Sequence, residues 1–158
     1  MPMLRLADYL REDLVLWDLP SLDKASFLRT LAAEVAARLP AVDEEELLAR
    51  LIEREGQQST GLGNGLALPH ATLSDLPETI VVVARSHEGL DFAAIDSEPV
   101  DVFFLLLGAS DAKTEHLRVL ARLARILAPE EVLERLRGAT SPQELFQRLL
   151  EEDARHVY

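Results

Sequence analysis

The stretch VDVFFLLL at residues 100–107 is a nearly continuous run of apolar residues, rich in the types that favour β-strands. A second run of this kind, TIVVVAR, lies at residues 79–85. Strands exposed on one face alternate apolar and polar residues, whereas continuous apolar runs are typical of strands covered on both faces. The two runs therefore predict the centre of a sheet with helices packed on each side, which is an α/β fold.

Segments with helical spacing flank these strands. One helix is predicted to start at Ser21 or Asp23 and to run to about Leu39, and a second to run from a capping box at Asp43 and Glu46 to near Gly56. Proline and glycine residues separate three further helical segments near the C-terminus. The remaining predicted elements are a strand LVLW at 14–17, a short hairpin strand LDFAAI at 90–95, and helices at 114–127, 130–137 and 142–152.

The overall composition limits the classes of function. A chain of 158 residues that is 48% hydrophobic can form one packed core, and no repeat or linker divides it, so a single domain over residues 1–158 is expected. The absence of cysteine excludes disulfides, zinc–thiolate sites and a cysteine nucleophile. The sequence has neither a leader segment nor an apolar run of about 20 residues. We therefore expect a soluble, cytoplasmic protein that is not embedded in a membrane.

The net charge of -12 bears on the choice of partner. It opposes binding to nucleic acid, because phosphate backbones are bound by clustered Lys and Arg side chains. Two interpretations stay open: the charge complements a protein partner with a positive rim, or it only keeps the protein soluble.

Several common catalytic templates are missing from the sequence. Gly61, Gly63 and Gly65 lack the spacing of the dinucleotide-binding fingerprint, and no Gly-Lys-Ser/Thr sequence supports a P-loop. The serine-hydrolase elbow G-x-S-x-G is absent as well, and the histidines do not have the zinc spacing H-E-x-x-H. No metal site is expected among these histidines, which lie at positions 70, 87, 116 and 156.

The first candidate for chemistry is His70, at the end of a glycine-rich segment, STGLGNGLALPHATL, residues 59–73. Glycine lets backbone N–H groups converge on an anion, and Pro69 restricts the conformation of Leu68. Together they could present His70, whose neutral ring is nucleophilic near pH 7, to a phosphate group. The alternative is a plain turn followed by a histidine at the end of a strand.

The second candidate, His116, continues the apolar stripe of the helix predicted at 114–127. A histidine in such a stripe is commonly a satisfied core residue. The start of a helix, however, also favours an anion through its dipole and free N–H groups. Which interpretation holds depends on whether His70 lies nearby.

Two motifs together resemble a known family. The run EREGQQSTGLGNGLALPHA at 53–71, followed by TEHLRVLARLARIL at 114–127, resembles the enzyme IIA domain of the fructose, mannitol and nitrogen-regulatory class of the phosphoenolpyruvate:sugar phosphotransferase system. The resemblance extends over nearly the whole chain. It implies a three-layer α/β domain whose central mixed sheet has about five strands, with helices on both faces.

The resemblance also implies a role for each matching residue. His70 would accept a phosphoryl group from a histidine phosphocarrier similar to HPr, His116 would orient that group, and Arg54 would balance its charge. Phosphoryl transfer depends mainly on positioning and charge stabilisation, so these groups would need no cofactor. The pair Gln57 and Gln58 departs from the family pattern, which leaves the shape of the loop entrance open. The residues implied to shape the pocket are Thr60, Gly61, Gly63 and Asn64.

Two functions are compatible with these residues. In the first, a phosphotransferase passes the phosphoryl group to a separate enzyme IIB or sugar-uptake component. In the second, a nitrogen-type regulatory module binds or releases a target protein according to the phosphorylation of His70. A domain retained only for association is disfavoured, because the reactive residues are all present. Asp75, Asp91 and Asp111 are weaker candidates for bases, and His87 and His156 are expected to be solvated bystanders.

Overall fold

The computed structural model describes residues 4–156, in which six β-strands form one mixed sheet. The order across the sheet is β1-β5-β6-β3-β2, and β4 pairs with the same edge of β6 as β3, farther along that strand. The strands β5 and β6 are antiparallel, whereas β1, β3 and β4 each run parallel to the strand they pair with in the centre. The strands are β1 (Leu10–Leu16), β2 (Gly61–Gly63), β3 (Leu66–Ala67), β4 (His70–Leu73), β5 (Ile80–Leu90) and β6 (Val100–Ala109).

Five α-helices cover the two faces of the sheet within the described part of the chain. Alternate residues of β6 face opposite sides: Phe103 packs with the first two helices, and Phe104 packs with the last three. This arrangement confirms the predicted three layers, and it explains why residues 80–84 of β5 and 102–107 of β6 are all apolar. The helices are α1 (Lys24–Arg38), α2 (Glu44–Gln57), α3 (Lys113–Leu127), α4 (Glu130–Arg137) and α5 (Pro142–Arg155), and a 3₁₀ turn at Leu6–Asp8 precedes β1.

Side-chain caps define most helix starts. Asp23 accepts a hydrogen bond from Ser26 N (2.9 Å) and Asp43 accepts one from Glu45 N (3.1 Å), so Asp43 caps α2 without the predicted reciprocal contact from Glu46. Helix α3 has no side-chain cap, because its N-cap residue is Ala112. None of the helices between residues 4 and 156 is long and apolar enough to span a bilayer.

The segment LDFAAI does not form the predicted hairpin strand. Only Leu90 is in a strand, as the last residue of β5, and the chain then turns where Asp91 Oδ1 accepts a hydrogen bond from Ala93 N (2.9 Å). Ala93 has a φ of 54°, which a strand residue does not adopt. Phe92 still reaches the core, so the apolar pattern that suggested a strand reflects burial of a turn.

The glycine-rich segment is more regular than a loop. It folds into the short antiparallel pair β2 and β3, whose turn has positive φ angles at Gly63, Asn64 and Gly65. The strand β4 then starts at His70. The sheet consequently has six strands in the described residues, where about five were expected.

Candidate functional site

His70 is the first residue of β4 and is half-buried. Its backbone is held beside β6, where His70 is in register with Leu106 and the carbonyl of Pro69 accepts a hydrogen bond from Leu106 N (3.0 Å). Proline has no backbone N–H to donate, so it is tolerated at the position directly before the strand. His70 therefore stands on the edge of a rigid sheet and not on a flexible loop.

The hydrogen bonds of the His70 ring define its tautomer. A backbone carbonyl only accepts, so the contact of Nδ1 with Leu68 O (3.0 Å) requires a proton on Nδ1. An arginine N–H only donates, so the contact between Arg54 Nε and His70 Nε2 (3.1 Å) requires a free lone pair on Nε2. These contacts correspond to a neutral imidazole with its proton on Nδ1 and its lone pair on Nε2.

Arg54 reaches His70 from the last turn of α2. Its Nη1 also donates to the carbonyl of Gln58 (2.8 Å), and its side chain is half-buried. These two contacts fix the guanidinium directly over Nε2. Arginine is always charged and its donors form a planar fork, which suits a phosphoryl group.

His116 lies in the first turn of α3, with its ring centroid 5.7 Å from that of His70 and the two ring planes at 59°. The ring packs over Gly108 of β6, where any Cβ would overlap with His116 Nδ1. Gly108 is therefore required for this close approach. His116 is 7% exposed, as expected for a core residue, and it also lies beside His70, as expected for a residue of the site.

Burial sets the protonation of His116. Desolvation first, and the nearby His70 second, lower the pKa of His116 below its ordinary value, which favours the neutral ring near pH 7. Its Nδ1 is buried with no hydrogen-bond partner among the described residues. A buried N–H without a partner is costlier than an unpaired weak acceptor, so the proton belongs on Nε2. The ring can then offer an Nε2–H donor to the site.

The two histidines and Arg54 share an open cleft of about 190 Å³. A second cleft of about 310 Å³ adjoins it on the other side of Arg54 and His70. Helix α2 also contributes Arg50, Glu53 and Gln57 to the first cleft, and β4 contributes Thr72. The sequence signals for Arg50 and Thr72 are their spacings, four residues before Arg54 on a helix and two after His70 on a strand.

Thr60 lies at the wall of the second cleft and is held by a buried carboxylate. Glu55 accepts hydrogen bonds from Thr60 N (3.1 Å) and from the Thr60 hydroxyl. The same carboxylate forms an ion pair with Lys24 Nζ (2.9 Å). This network fixes the segment after α2, whose Gln58 carbonyl holds Arg54.

The other pocket residues implied by the resemblance lie elsewhere. Gly61 is packed against Ala94, to which an added Cβ would be 2.8 Å. The turn at Gly63 and Asn64 faces Asp96, whose carboxylate accepts from Asn64 N (3.0 Å). Neither Gly63 nor Asn64 lines the clefts around His70, and a role for them in phosphoryl binding stays a prediction.

The remaining histidines are away from this cleft. The ring of His87 is exposed and contacts Trp17, with Nε2 2.8 Å from the Trp17 carbonyl. His156 follows α5, and its carbonyl accepts from Arg122 Nη2 (2.7 Å). Among residues 4–156, no group of three or more His, Asp or Glu side chains could hold a metal ion.

Comparison with known families gives one match that covers most of the chain. Residues 8–152 match the family described as phosphoenolpyruvate-dependent sugar phosphotransferase system, EIIA 2. The matched region contains the complete sheet, helices α1 to α4, and all but the last three residues of α5.

Individual proteins similar to this chain have two kinds of name. A nitrogen regulatory protein of Pseudomonas aeruginosa is 37% identical over 145 residues, which are 92% of this chain and 94% of that protein. A fructose-specific EIIA component of the phosphotransferase system in Haloferax volcanii is 39% identical over 117 residues, 74% of each chain. The crystal structure of the nitrogen regulatory protein IIA-Ntr from Neisseria meningitidis superimposes with a TM-score of 0.83 at 26% identity, covering 91% of this chain and 98% of that one.

Proposed function

This chain belongs to the EIIA 2 family of the phosphoenolpyruvate-dependent sugar phosphotransferase system. On that premise we propose that His70 accepts a phosphoryl group from a donor protein and passes it on to an acceptor protein. The donor would be a histidine phosphocarrier similar to HPr, and the acceptor a separate enzyme IIB or sugar-uptake component. The observation that carries this proposal is the free lone pair of His70 Nε2, which lies against Arg54 and beside His116.

The transfer step follows from the tautomer of His70. The phosphorus–nitrogen bond of the donor phosphohistidine breaks, its electron pair stays on the donor imidazole, and the lone pair of His70 Nε2 forms the new bond. The proton stays on Nδ1 throughout, hydrogen-bonded to the Leu68 carbonyl, so no general base is needed. In the next transfer, the nucleophile of the acceptor protein attacks phosphorus and Nε2 recovers its electron pair.

Arg54 has two successive roles in this scheme. In the unphosphorylated protein its Nε–H occupies the lone pair of His70 Nε2 (3.1 Å), which holds the ring in place. For the new bond to form, Arg54 has to leave Nε2, and its N–H groups then face the phosphoryl oxygens. Donors held close to these oxygens stabilise the charge that develops on them in the transition state.

His116 supplies a neutral hydrogen-bond donor from the first turn of α3. With its pKa lowered and its proton on Nε2, it can donate to a phosphoryl oxygen without acting as an acceptor of phosphate. The start of α3 adds the positive end of a helix dipole behind the ring. Thr60 acts through its hydrogen bonds to Glu55, which hold the segment that positions Arg54.

The surface around the clefts suits a protein partner. Leu62 is 50% exposed and lines the second cleft together with Leu68, Leu120 and Ala124. Leu117, three residues before Leu120 on α3, is 64% exposed. An exposed apolar patch beside a reactive group is typical of a docking surface for another protein. A phosphocarrier that docks there could bring its phosphohistidine to Nε2.

The nitrogen-type function is the second candidate. It is favoured by the nitrogen regulatory protein of Pseudomonas aeruginosa, which matches 92% of this chain at 37% identity. In that function the same chemistry at His70 would control binding to a target protein, and no onward transfer to an enzyme IIB would be needed.

Labelling from a phosphorylated carrier tests the proposed chemistry. Incubation with phosphorylated HPr should label the wild-type protein, whereas His70→Ala should not be labelled although it remains folded, because the side chain is only half-buried. His87→Ala is the matched control, since His87 is exposed and outside the cleft. Undiminished labelling of His70→Ala would contradict the proposal.

A second experiment separates the two candidate functions. The phosphorylated protein is mixed with candidate enzyme IIB proteins, and loss of its label is followed over time. Transfer to an enzyme IIB supports the transport function. Retention of the label, together with a target protein that binds only one phosphorylation state, supports the regulatory function.

A further inference from the structure

Thr72 lies in the first cleft beside His70, and neither the resemblance nor the sequence motifs assign it a role. It is two residues after His70 in β4, so the two side chains project from the same face of the strand. Thr72 is half-buried and lines the cleft together with Arg54, His70 and His116. Its hydroxyl has no hydrogen-bond partner among residues 4–156.

The register of β4 with β6 places Thr72 next to His116. Thr72 is paired with Gly108, the residue over which the His116 ring packs. Because Gly108 has no side chain, nothing on that strand separates the His116 ring from Thr72. The hydroxyl of Thr72 and the ring of His116 therefore line the same wall of the cleft.

A phosphoryl group on Nε2 has three oxygens that need donors. Arg54 supplies N–H groups from α2, and His116 supplies one N–H from α3. Both donors reach the cleft from helices, and neither comes from β4, the strand that carries His70. The remaining side chain that lines the cleft from β4 and carries an O–H donor is Thr72.

We propose that the hydroxyl of Thr72 donates a hydrogen bond to the phosphoryl group carried on His70 Nε2. This inference rests on the proposed function, because it needs His70 as the acceptor. The hydroxyl keeps its proton and takes no part in bond making or breaking. It stabilises the charged oxygens during transfer and in the phosphorylated protein.

Two substitutions at Thr72 test this role. Thr72→Val keeps the β-branched shape and removes the hydroxyl, whereas Thr72→Ser keeps the hydroxyl. A hydrogen bond to a charged group corresponds to roughly tenfold or more in rate, so Thr72→Val should accept phosphate from phosphorylated HPr at least about tenfold more slowly than wild type. Thr72→Ser should stay close to the wild-type rate. The phosphorylated Thr72→Val protein should also lose its label to water faster.

Melting temperatures measured on the same proteins exclude a loss of fold, and each rate is taken at a temperature where the protein is folded. Thr140→Val is the matched control, because Thr140 is exposed and lines neither cleft. It should transfer like wild type. An unchanged rate in Thr72→Val, or a Thr72→Ser protein as slow as Thr72→Val, would overturn the role of the hydroxyl.

The same experiment distinguishes this inference from the proposed function. If wild-type protein is labelled at His70 and Thr72→Val is labelled equally fast, only the role of Thr72 is wrong. If the wild-type protein is not labelled at His70 at all, the proposed function fails and the role of Thr72 fails with it.

Discussion

At the scale of single residues, the site depends on which nitrogen of each histidine carries the proton. His70 has its proton on Nδ1 because a carbonyl holds that atom, and His116 has its proton on Nε2 because Nδ1 is buried without a partner in the described structure. One ring therefore presents a lone pair and the other an N–H. Under the proposed function, these different surroundings would make His70 the nucleophile and His116 the hydrogen-bond donor.

Substitution of His116 tests its role as a donor. His116→Ala should slow phosphoryl transfer by about a hundredfold, because loss of one such donor in an enzyme site typically costs ~2.7–4 kcal/mol. His116→Gln retains a donor and should be slowed less. Transfer rates and melting temperatures of both variants are measured together. A normal rate in folded His116→Ala would mean that the residue serves only the core.

The lowered pKa of His116 also predicts how stability depends on pH. The folded protein binds a proton on this ring less readily than the unfolded chain does, whose histidine titrates near ~6.5. The free energy of unfolding should therefore fall as the pH drops through and below that value. His116→Gln should show a smaller fall between about pH 7 and 5 in urea unfolding experiments. An equal slope in both proteins would argue against a depressed pKa.

At the scale of elements, the regular parts of the chain were predictable and the short strands were not. The runs in β5 and β6 carry an apolar signal long enough to predict, and Asp23, Asp43 and Pro142 mark helix starts. The strands β2 to β4 have two to four residues each, too few for a period. The segment after Leu90 was wrongly predicted to be a strand. Its buried Phe92 gives the sequence the apolar pattern of a strand, although the backbone forms a turn.

Prediction of the candidate site from the sequence was limited in the same way. The contact of Arg54 with His70 joins a helix end to a strand start, and only the resemblance to a family indicated it from the sequence. Arg50 and Thr72 were missed because their spacings have meaning only once α2 and β4 are known. Arginine is usually exposed, so the sequence does not indicate that Arg122 is only 1% exposed.

Gly108 of β6 lies directly under the His116 ring of α3 and provides a test at this scale. Gly108→Ala adds a Cβ that overlaps with His116 Nδ1, so the ring has to move away from the sheet. We expect a loss of about 1–3 kcal/mol in the free energy of unfolding, as for other overpacked positions, together with slower phosphoryl transfer. Chemical denaturation and labelling are measured on the same protein. Full stability with an unchanged rate would show that the ring does not depend on Gly108.

At the scale of the whole molecule, a buried ion pair joins the two ends of the described chain. Arg122 of α3 donates to Asp153 of α5 through Nε (3.0 Å) and Nη2 (2.8 Å), and both side chains are 1% exposed. Asp153 also accepts from the backbone N–H of Leu6 and of Ala7, at 3.0 Å each. This network is on the α3–α5 side of the sheet, and none of its residues lines either of the two clefts around His70.

Removal of one partner of the Arg122–Asp153 ion pair should therefore lower the stability of the fold without changing the rate of phosphoryl transfer. Asp153→Ala leaves the buried charge of Arg122 without its carboxylate, which typically costs about 3–5 kcal/mol of unfolding free energy. Transfer per folded molecule should stay as in wild type, because His70 and Arg54 are untouched. The check is a denaturant titration beside a transfer assay at a temperature where the variant is folded. A slow but fully folded variant would imply coupling between this network and the cleft.

The proposed transfer depends on His70 Nε2 as the atom that carries the phosphoryl group. The most direct measurement is NMR of ¹⁵N-labelled protein phosphorylated by a histidine phosphocarrier, in which ring ¹H–¹⁵N correlations assign the modified nitrogen. We predict one phosphorylated histidine, His70, with phosphorus on Nε2 and the proton still on Nδ1. Phosphorus on Nδ1 of His70, or on any other residue, would contradict it.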